Sequence, residues 1–340
     1  MKRFSRLVLS ALRVSMLIVT LAALMGISVT ACSAGQSDSA DRDVIGTLRV
    51  GVIGSVNVIS GPLGLAHSRG EVLRALKPLG VDKIDVYNFP NGPDLNQALL
   101  GGRLDVGLYG DTPALVARGN GLQTRLLAIS QFNNDAGVVV KNPSIRTLKD
   151  LAGKKIGVPK GSYIDRYLQG ALQQAGITAQ LIHLYPADQE APLSSGEIDA
   201  AALPGVIPSV ALQTFQRKGY RLIDSVYRNH PDLAGTSAVA SAAAFLDKQK
   251  DFGAAWQKLL ADSVTYAKAH WDEYLAFEIK NSKANPDDIR AAANPDGYAA
   301  EPFPAAGVRL LEGTKKFLVS SGSIKQDFSL GDWEYRTSNA

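Results

Sequence analysis

Apolar residues along this chain follow two rhythms that exchange repeatedly. Leu48 to Ile53 is a short β-rich run, after which Leu65, Val72, Leu73 and Leu76 recur at helical spacing. Ile84 to Phe89 alternates as a strand, Leu95 to Leu100 is helical, and Leu104 to Tyr109 is a strand again. Leu126 to Ser130 and Gly137 to Val140 add two extended segments. A polar, turn-rich block follows from Asn142-Pro143 to Leu151-Ala152-Gly153, and a second strand-and-helix series runs from Lys155 to Val226, before His230-Pro231-Asp232 breaks the pattern. Strands alternating with helices of this length predict largely parallel sheets covered on both faces. From Asp247 the pattern turns helical, with Phe252, Trp256, Leu259, Leu260, Ala267, Trp271 and Tyr274 on one stripe that reads as core. Val308 to Leu318 makes a last amphipathic helix. This C-terminal region has no strand pair of its own, so it is expected to pack back on the first series and make that lobe discontinuous.

The two series repeat one another. Val50-Gly51-Val52-Ile53-Gly54-Ser55 corresponds to Ile156-Gly157-Val158-Pro159-Lys160-Gly161-Ser162. Each is followed by an aromatic-proline step, Phe89-Pro90 and then Tyr185-Pro186. A Gly-x-aliphatic-Asp run comes next, Gly102-Arg103-Leu104-Asp105 against Gly196-Glu197-Ile198-Asp199. Two similar α/β lobes with helix N-termini at their facing rims suit the gripping of a small ligand, because those termini carry unpaired N–H groups and positive dipole ends.

Gly110-Asp111-Thr112-Pro113 directly follows a predicted strand. Thr112 is a good N-cap and Pro113 is preset for a first helical turn, so the helix would point its N-terminus out of the carboxyl end of the sheet. In the second series Gly161 allows close approach of backbone, Ser162 caps, Tyr163 follows, and Asp165 approximates the far side of a capping box. A structural cap without a ligand explains each motif alone; their equivalent placement in two repeats is what suggests convergence on one anion. Ser55 and Asn57 offer side-chain donors after the first strand, although both are ordinary turn residues. Asn133, Asn134, Thr236 and Ser237 lie near the expected crossovers, placed at Val138 to Asn142 and Asp232 to Thr236. Apart from Lys160 these loops hold no basic residue, so recognition would rest on helix termini and neutral hydroxyls. His67, His183, His230 and His270 fall in no metal-ligand spacing, and there is no nucleophile elbow, dinucleotide fingerprint or P-loop. No enzyme, metal or cofactor is therefore expected.

The ends of the chain change the electrostatic picture. Lys2, Arg3, Arg6 and Arg13 precede an uncharged apolar stretch from Val14 to Ala31, as in a secretory leader. Val29-Thr30-Ala31-Cys32 resembles the lipobox of bacterial lipoproteins, which implies an acylated Cys32, the only cysteine in the chain. The leader's four basic residues account for the whole formal charge of +4, so the rest is balanced and carries no argument for nucleic acid. Ser33 to Asp43 reads as a tether. The expected organisation is a signal peptide over 1–31, a tether over 32–46, a first lobe from 47–139 and 236–333, and a second lobe over 140–235.

On Phe89-Pro90-Asn91-Gly92-Pro93, the Gly102 to Gly107 run, Gly110-Asp111-Thr112-Pro113, Leu148 to Val158, Lys160-Gly161-Ser162 and Pro186-Ala187-Asp188, the chain resembles the substrate-binding proteins of bacterial ABC importers in the sulfonate, taurine and nitrate group. The resemblance runs from about Leu48 to about Trp333. It implies the type II periplasmic-binding fold, with α/β lobes, a discontinuous first lobe and a ligand cleft between the lobes. It also implies a small organic anion as ligand, held by Thr112, Ser162 and the N–H groups near them, and a membrane permease as partner to a monomeric binding protein. Where family members often carry aromatic-Asp-Pro, this chain reads Ala202-Leu203-Pro204-Gly205-Val206, so Pro204 lines the equivalent loop without an aromatic wall or a carboxylate. Nitrate, taurine, an aromatic carboxylate or a pyrimidine precursor are the alternative ligands, and a biosynthetic enzyme on the same fold is the alternative activity.

Overall fold

Among the described residues ten strands follow in the order β1 (Gly46–Ile53), β2 (Val81–Phe89), β3 (Val106–Gly110), β4 (Thr124–Asn134), β5 (Ala136–Val140), β6 (Lys155–Val158), β7 (Gln180–His183), β8 (Ala200–Pro204), β9 (Arg221–Ser225) and β10 (Gly235–Ala242). The structure, a computed structural model, describes residues 44–336, and the leader, Cys32 and the tether up to Asp43 lie outside the described residues. The strands form two five-stranded sheets, ordered β2-β1-β3-β10-β4 and β7-β6-β8-β5-β9. In each sheet a parallel trio is extended by a strand that runs antiparallel to its neighbours, β10 in the first sheet and β5 in the second. That strand is the one that has just crossed from the other sheet. The two sheets therefore share one topology, and the first is discontinuous in sequence.

The repeated motifs explain why both trios close the same way. Gly51 sits in β1 where a Cβ would come within 2.5 Å of Leu104 Cδ1, and Gly157 sits in β6 where a Cβ would come within 2.8 Å of Ile198 Cδ1. The aliphatic residue of each Gly-x-aliphatic-Asp run thus lies over a glycine of the central strand. The aspartate completes the fit: Asp105 Oδ2 accepts from Arg49 N at 2.8 Å, and Asp199 Oδ2 accepts from Lys155 N at 3.0 Å. Their own amides donate back to Arg49 O and Lys155 O at 2.9 and 2.8 Å.

The crossings fall elsewhere than expected on one side. The chain leaves the first sheet after Asn134 and enters β5 at Ala136, so Val138 to Asn142 lies within and beyond a strand of the second sheet, and residues 136–139 belong with that sheet. The polar stretch Asn133-Asn134-Asp135 marks the break, but β4 and β5 are both buried and follow one another directly, so the expected crossing falls at the end of the second apolar run. The return passes through Leu233 and Ala234 into β10 at Gly235, within the expected stretch.

The helical C-terminal region divides at His270 into Phe252–Ala269 and Trp271–Ser282. Phe252, Trp256, Leu259 and Leu260 join the core under β1, while Leu311 and Leu318 of the Ala305–Ser320 helix join Trp333 in the core beside β4 and β10. These segments return to the first sheet as expected. The Pro286–Ala292 helix does not: Ile289 and Ala292 pack against Ile207 and Val210 of the second lobe, and Asp288 accepts from Thr214 Oγ1 at 2.7 Å and Arg217 Nε at 2.9 Å. Trp333 is fully buried, and its indole N–H donates to Thr124 Oγ1 at 3.1 Å. Trp333→Ala is expected to cost about 3–5 kcal/mol through the cavity and the lost bond, read as a fall in the urea midpoint; a change below 1 kcal/mol would mean the C-terminal return contributes little.

Candidate ligand cleft

The helices that follow β3 and β6, Asp111–Gly119 and Tyr163–Ala175, open toward each other from opposite sheets. A Cβ on Gly110 would lie 3.8 Å from Tyr163 Cδ1, and one on Gly161 would lie 3.6 Å from Pro93 Cγ, so the two rims are in contact. Asn91, which caps the Gly92–Leu100 helix of the first lobe, donates from Nδ2 to Tyr185 OH of the second at 2.9 Å. The two aromatic-proline steps thus meet at the mouth.

Capping differs from expectation at the first helix and agrees at the second. Gly110, not Thr112, is the N-cap residue, because the helix already begins at Asp111, and Thr112 Oγ1 donates sideways to Asp111 Oδ1 at 2.9 Å. Ser162 caps as predicted, accepting from Asp165 N at 3.3 Å, and its own proton goes to Pro159 O at 2.6 Å. The Asp165 carboxylate reaches back to Gly161 N at 2.9 Å, one residue before the box partner. Both hydroxyl protons are spent on protein acceptors. What remain at the opening of the Tyr163–Ala175 helix are the N–H groups of Tyr163 and Ile164, the orphan donors of a first turn.

Three helix openings carry an internal carboxylate. Asp111 serves its own helix and also accepts from Thr236 N at 2.9 Å, Thr236 Oγ1 at 3.1 Å and Thr314 Oγ1 at 3.4 Å. Asp165 serves the second helix. At the third, Gly61–Ser68, Gly61 N donates at 2.6 Å to Glu278 Oε1, a residue sequence reasoning missed because it lies far along the chain on a helix. Glu278 is buried, hydrogen-bonded by Tyr274, and among the described residues has no basic side chain at ion-pair distance.

The other candidates scatter. Ser55 and Asn57 are exposed, and Asn57 Oδ1 accepts from Asn88 N at 3.0 Å, tying the loop after β1 to β2. Pro204 ends β8 in a buried position next to Gly205, whose N–H donates to Asp135 O at 3.0 Å. Thr236 is buried against Asp111 and exposes no donor. Tyr227, not singled out from sequence, is half exposed, with its hydroxyl donating to Asn133 O at 2.7 Å and accepting from Asn294 Nδ2 at 3.0 Å. It supplies an aromatic ring after β9, where the loop after β8 has none. Asp135 and Arg166 also escaped notice; the first lies in the gap between two extended segments, and the second is a lone basic residue one turn inside a helix.

These two lobes, each a parallel trio completed by a strand crossing from the other, are the fold of periplasmic solute-binding proteins. The alkanesulfonate-binding protein SsuA from Xanthomonas axonopodis pv. citri, solved bound to MOPS, superposes with a TM-score of 0.70 at 19% identity, covering 86% of this chain and 99% of that one. The fold also matches the desulfurization enzyme DSZB, with a TM-score of 0.65 at 17% identity over 85% and 96% of the two chains. More particularly, the chain belongs to the NMT1/THI5-like family, whose pattern matches residues 81–274. A protein of Escherichia coli (strain K12), provisionally named as aliphatic sulfonates-binding, is 31% identical over 199 residues, which cover 57% of this chain and 58% of that relative's length.

Two carboxyls in this region resist ionisation. Burial pushes Glu278 up to about 7 against the pull of Gly61 N–H and Tyr274, and burial pushes Asp135 up to about 6 against the N–H groups of Tyr227 and Ala136. A carboxyl whose pKa is higher folded than unfolded holds its proton better in the fold, so stability is lost as pH rises from about 4.5 through 7. Glu278→Gln keeps the acceptor for Gly61 without the charge. Its melting temperature is expected to exceed that of the parent at pH 8 and to approach it at pH 5; a constant difference across that range would show that Glu278 is not held protonated.

Proposed function

We propose that this chain is an extracytoplasmic solute-binding protein that captures a small organic anion, an aliphatic sulfonate, between its two lobes and delivers it to an ABC importer permease. It acts as a monomer tethered to the membrane by lipid on Cys32. The observation that carries this reading is the meeting of two helix openings from opposite sheets at Gly110 and Tyr163. A ligand held there touches both lobes at once, so its binding energy favours their closure. The name of the Escherichia coli relative and the fold support the same reading. Binding is favoured over catalysis because the Ser162 hydroxyl gives its proton to a backbone carbonyl, and the Asp111 carboxylate that takes the Thr112 hydroxyl is itself committed to Thr236 and Thr314.

A sulfonate fits the donors that remain. It stays ionised at all physiological pH and accepts N–H bonds without exchanging a proton. Since both hydroxyls are engaged, the head group is assigned to the N–H groups of Tyr163 and Ile164, with Gly161 and Gly110 allowing close approach and the Tyr227 ring flanking the organic part.

Thermal unfolding of the protein with ethanesulfonate, taurine, nitrate, benzoate and a hydroxymethylpyrimidine tests the ligand class. At 100 times its dissociation constant the right ligand adds about 2.7 kcal/mol; a response to the pyrimidine alone would sink the sulfonate reading. Ser162→Ala should cost about 1 kcal/mol of stability as a lost cap while leaving ethanesulfonate affinity within about threefold, because main-chain donors do the holding. A tenfold or greater loss by calorimetry would return the hydroxyl to the site. For the anchor, Cys32→Ala is expected to move the protein from the detergent phase to the aqueous phase on partitioning, and unchanged partitioning would refute lipidation.

A further inference from the structure

Among the described residues two backbone links join the sheets, Asn134 to Ala136 and Leu233 to Gly235, and one turn of one helix grips both; the Pro286–Ala292 helix touches the second lobe through side-chain contacts. Tyr163 OH donates to Asp135 O at 3.0 Å on the outward link. Three residues later Arg166 donates from one guanidinium nitrogen to Leu233 O at 2.9 Å and Ala234 O at 3.0 Å on the return link. The ring of Tyr163 also lies against Gly235, where a Cβ would come within 2.5 Å of ring carbon Cδ2, so only glycine lets the return link pass so close. Gly205 N and Tyr227 N, both in the second lobe, complete the hold on Asp135 through its carbonyl and its carboxylate at 3.0 and 3.1 Å.

Immediately past these anchors the chain is held by the first lobe instead. Asp111 takes the amide and hydroxyl of Thr236, Asn134 Nδ2 donates to Ser237 Oγ at 3.0 Å, and Gly235 pairs with Asn134 in the first sheet. Ownership of the backbone changes across Asn134 and Asp135 on one strand, with Tyr227 OH reaching back to Asn133 O, and between Ala234 and Gly235 on the other. The two places are neighbours.

Arg166 is 2% exposed, its Nε has no partner, and no carboxylate lies at ion-pair distance among the described residues. Burying a guanidinium on carbonyls alone is costly, and this one is spent on holding the link. Asp111, on the far side of the same link, and Asp232 are the opposite charges that act on it.

We propose that Tyr163 and Arg166 are positioning residues that fix the Tyr163–Ala175 helix to both links, so that helix, second lobe and links turn as one body about the Asn134–Asp135 and Ala234–Gly235 junctions, carrying the packed Pro286–Ala292 helix with them. The turn that presents N–H groups to the cleft is then the turn that holds the hinge. A group binding at Tyr163 acts on the hinge through two hydrogen-bonded residues, without an intervening chain of contacts. The inference concerns the hinge alone and does not depend on which ligand is bound.

Hydrogen exchange of the full chain, read by mass spectrometry without ligand, tests it. Arg166→Met keeps the apolar stem and removes the donors; amides over 232–237 are expected to exchange at least tenfold faster, with the Phe252–Ala269 core helix unchanged. Arg166→Lys, which can reach one carbonyl, should restore part of the protection. Tyr163→Phe should accelerate 134–137 and Gly205 and leave 232–237 closer to the parent. Acceleration of the core helix in step with the links would mark Arg166 as a general stabiliser and overturn the proposal, as would unchanged exchange at the links. If Arg166→Met fails to fold, the lysine and phenylalanine variants decide by the same criterion.

Discussion

Everything in this structure depends on how closely its central strands are approached. β1 and β6 each carry a glycine under an aliphatic side chain of the neighbouring Gly-x-aliphatic-Asp run, with gaps too small for a Cβ. A methyl group at either position would force the terminal methyl of Leu104 or Ile198 to move within a buried, close-packed core. The aspartate that follows closes the same joint with a bond to the start of the central strand, at Arg49 in one lobe and Lys155 in the other. Because β3 and β8 are set in this way, so are the loops leaving their carboxyl ends and the helices those loops start.

The second constraint is electrostatic and works against a simple view of helix ends as waiting anion sites. A helix opening attracts negative charge, and in this protein it is already answered from within by the carboxylates of Asp111 and Asp165 and by the acceptor oxygen of the buried Glu278. Each carboxyl group also does structural work: Glu278 joins a C-terminal helix to the start of the first one, Asp111 fixes the return link, and Asp165 tightens the Gly161 turn. The donors left for a ligand are therefore few and mostly main-chain, which favours a small head group that needs little from side chains. Glu278 and Asp135 are held without a neighbouring cation, and burial raises both toward neutrality.

Much of this was legible in one dimension. The order of strands and helices, the repeat, the return of the C-terminal segment to the first lobe and the Ser162 cap follow from spacing, glycine placement and local side-chain chemistry, which act over a few residues. The first crossing was misplaced because β4 and β5 follow one another with only Asp135 between them, and the polar step Asn133-Asn134-Asp135 does not say whether the next strand joins the same sheet or the other. Thr112 looked like a cap because threonine before proline usually is one, yet the helix starts a residue earlier, where Asp111 is drawn in by Thr236 and Thr314, residues far along the chain.

What sequence by itself determined, then, is the set of local decisions: which segments are strands, where turns must admit glycine, and that two similar halves exist. What only tertiary structure decided is which distant groups meet. Glu278 on the amide of Gly61, Arg166 on the carbonyls of Leu233 and Ala234, and Asp288 beside Arg217 are contacts between residues with no periodic or short-range relation. Their energies come from burial and from hydrogen bonds that exist only once distant segments of the chain have packed together, so no spacing along the chain can announce them.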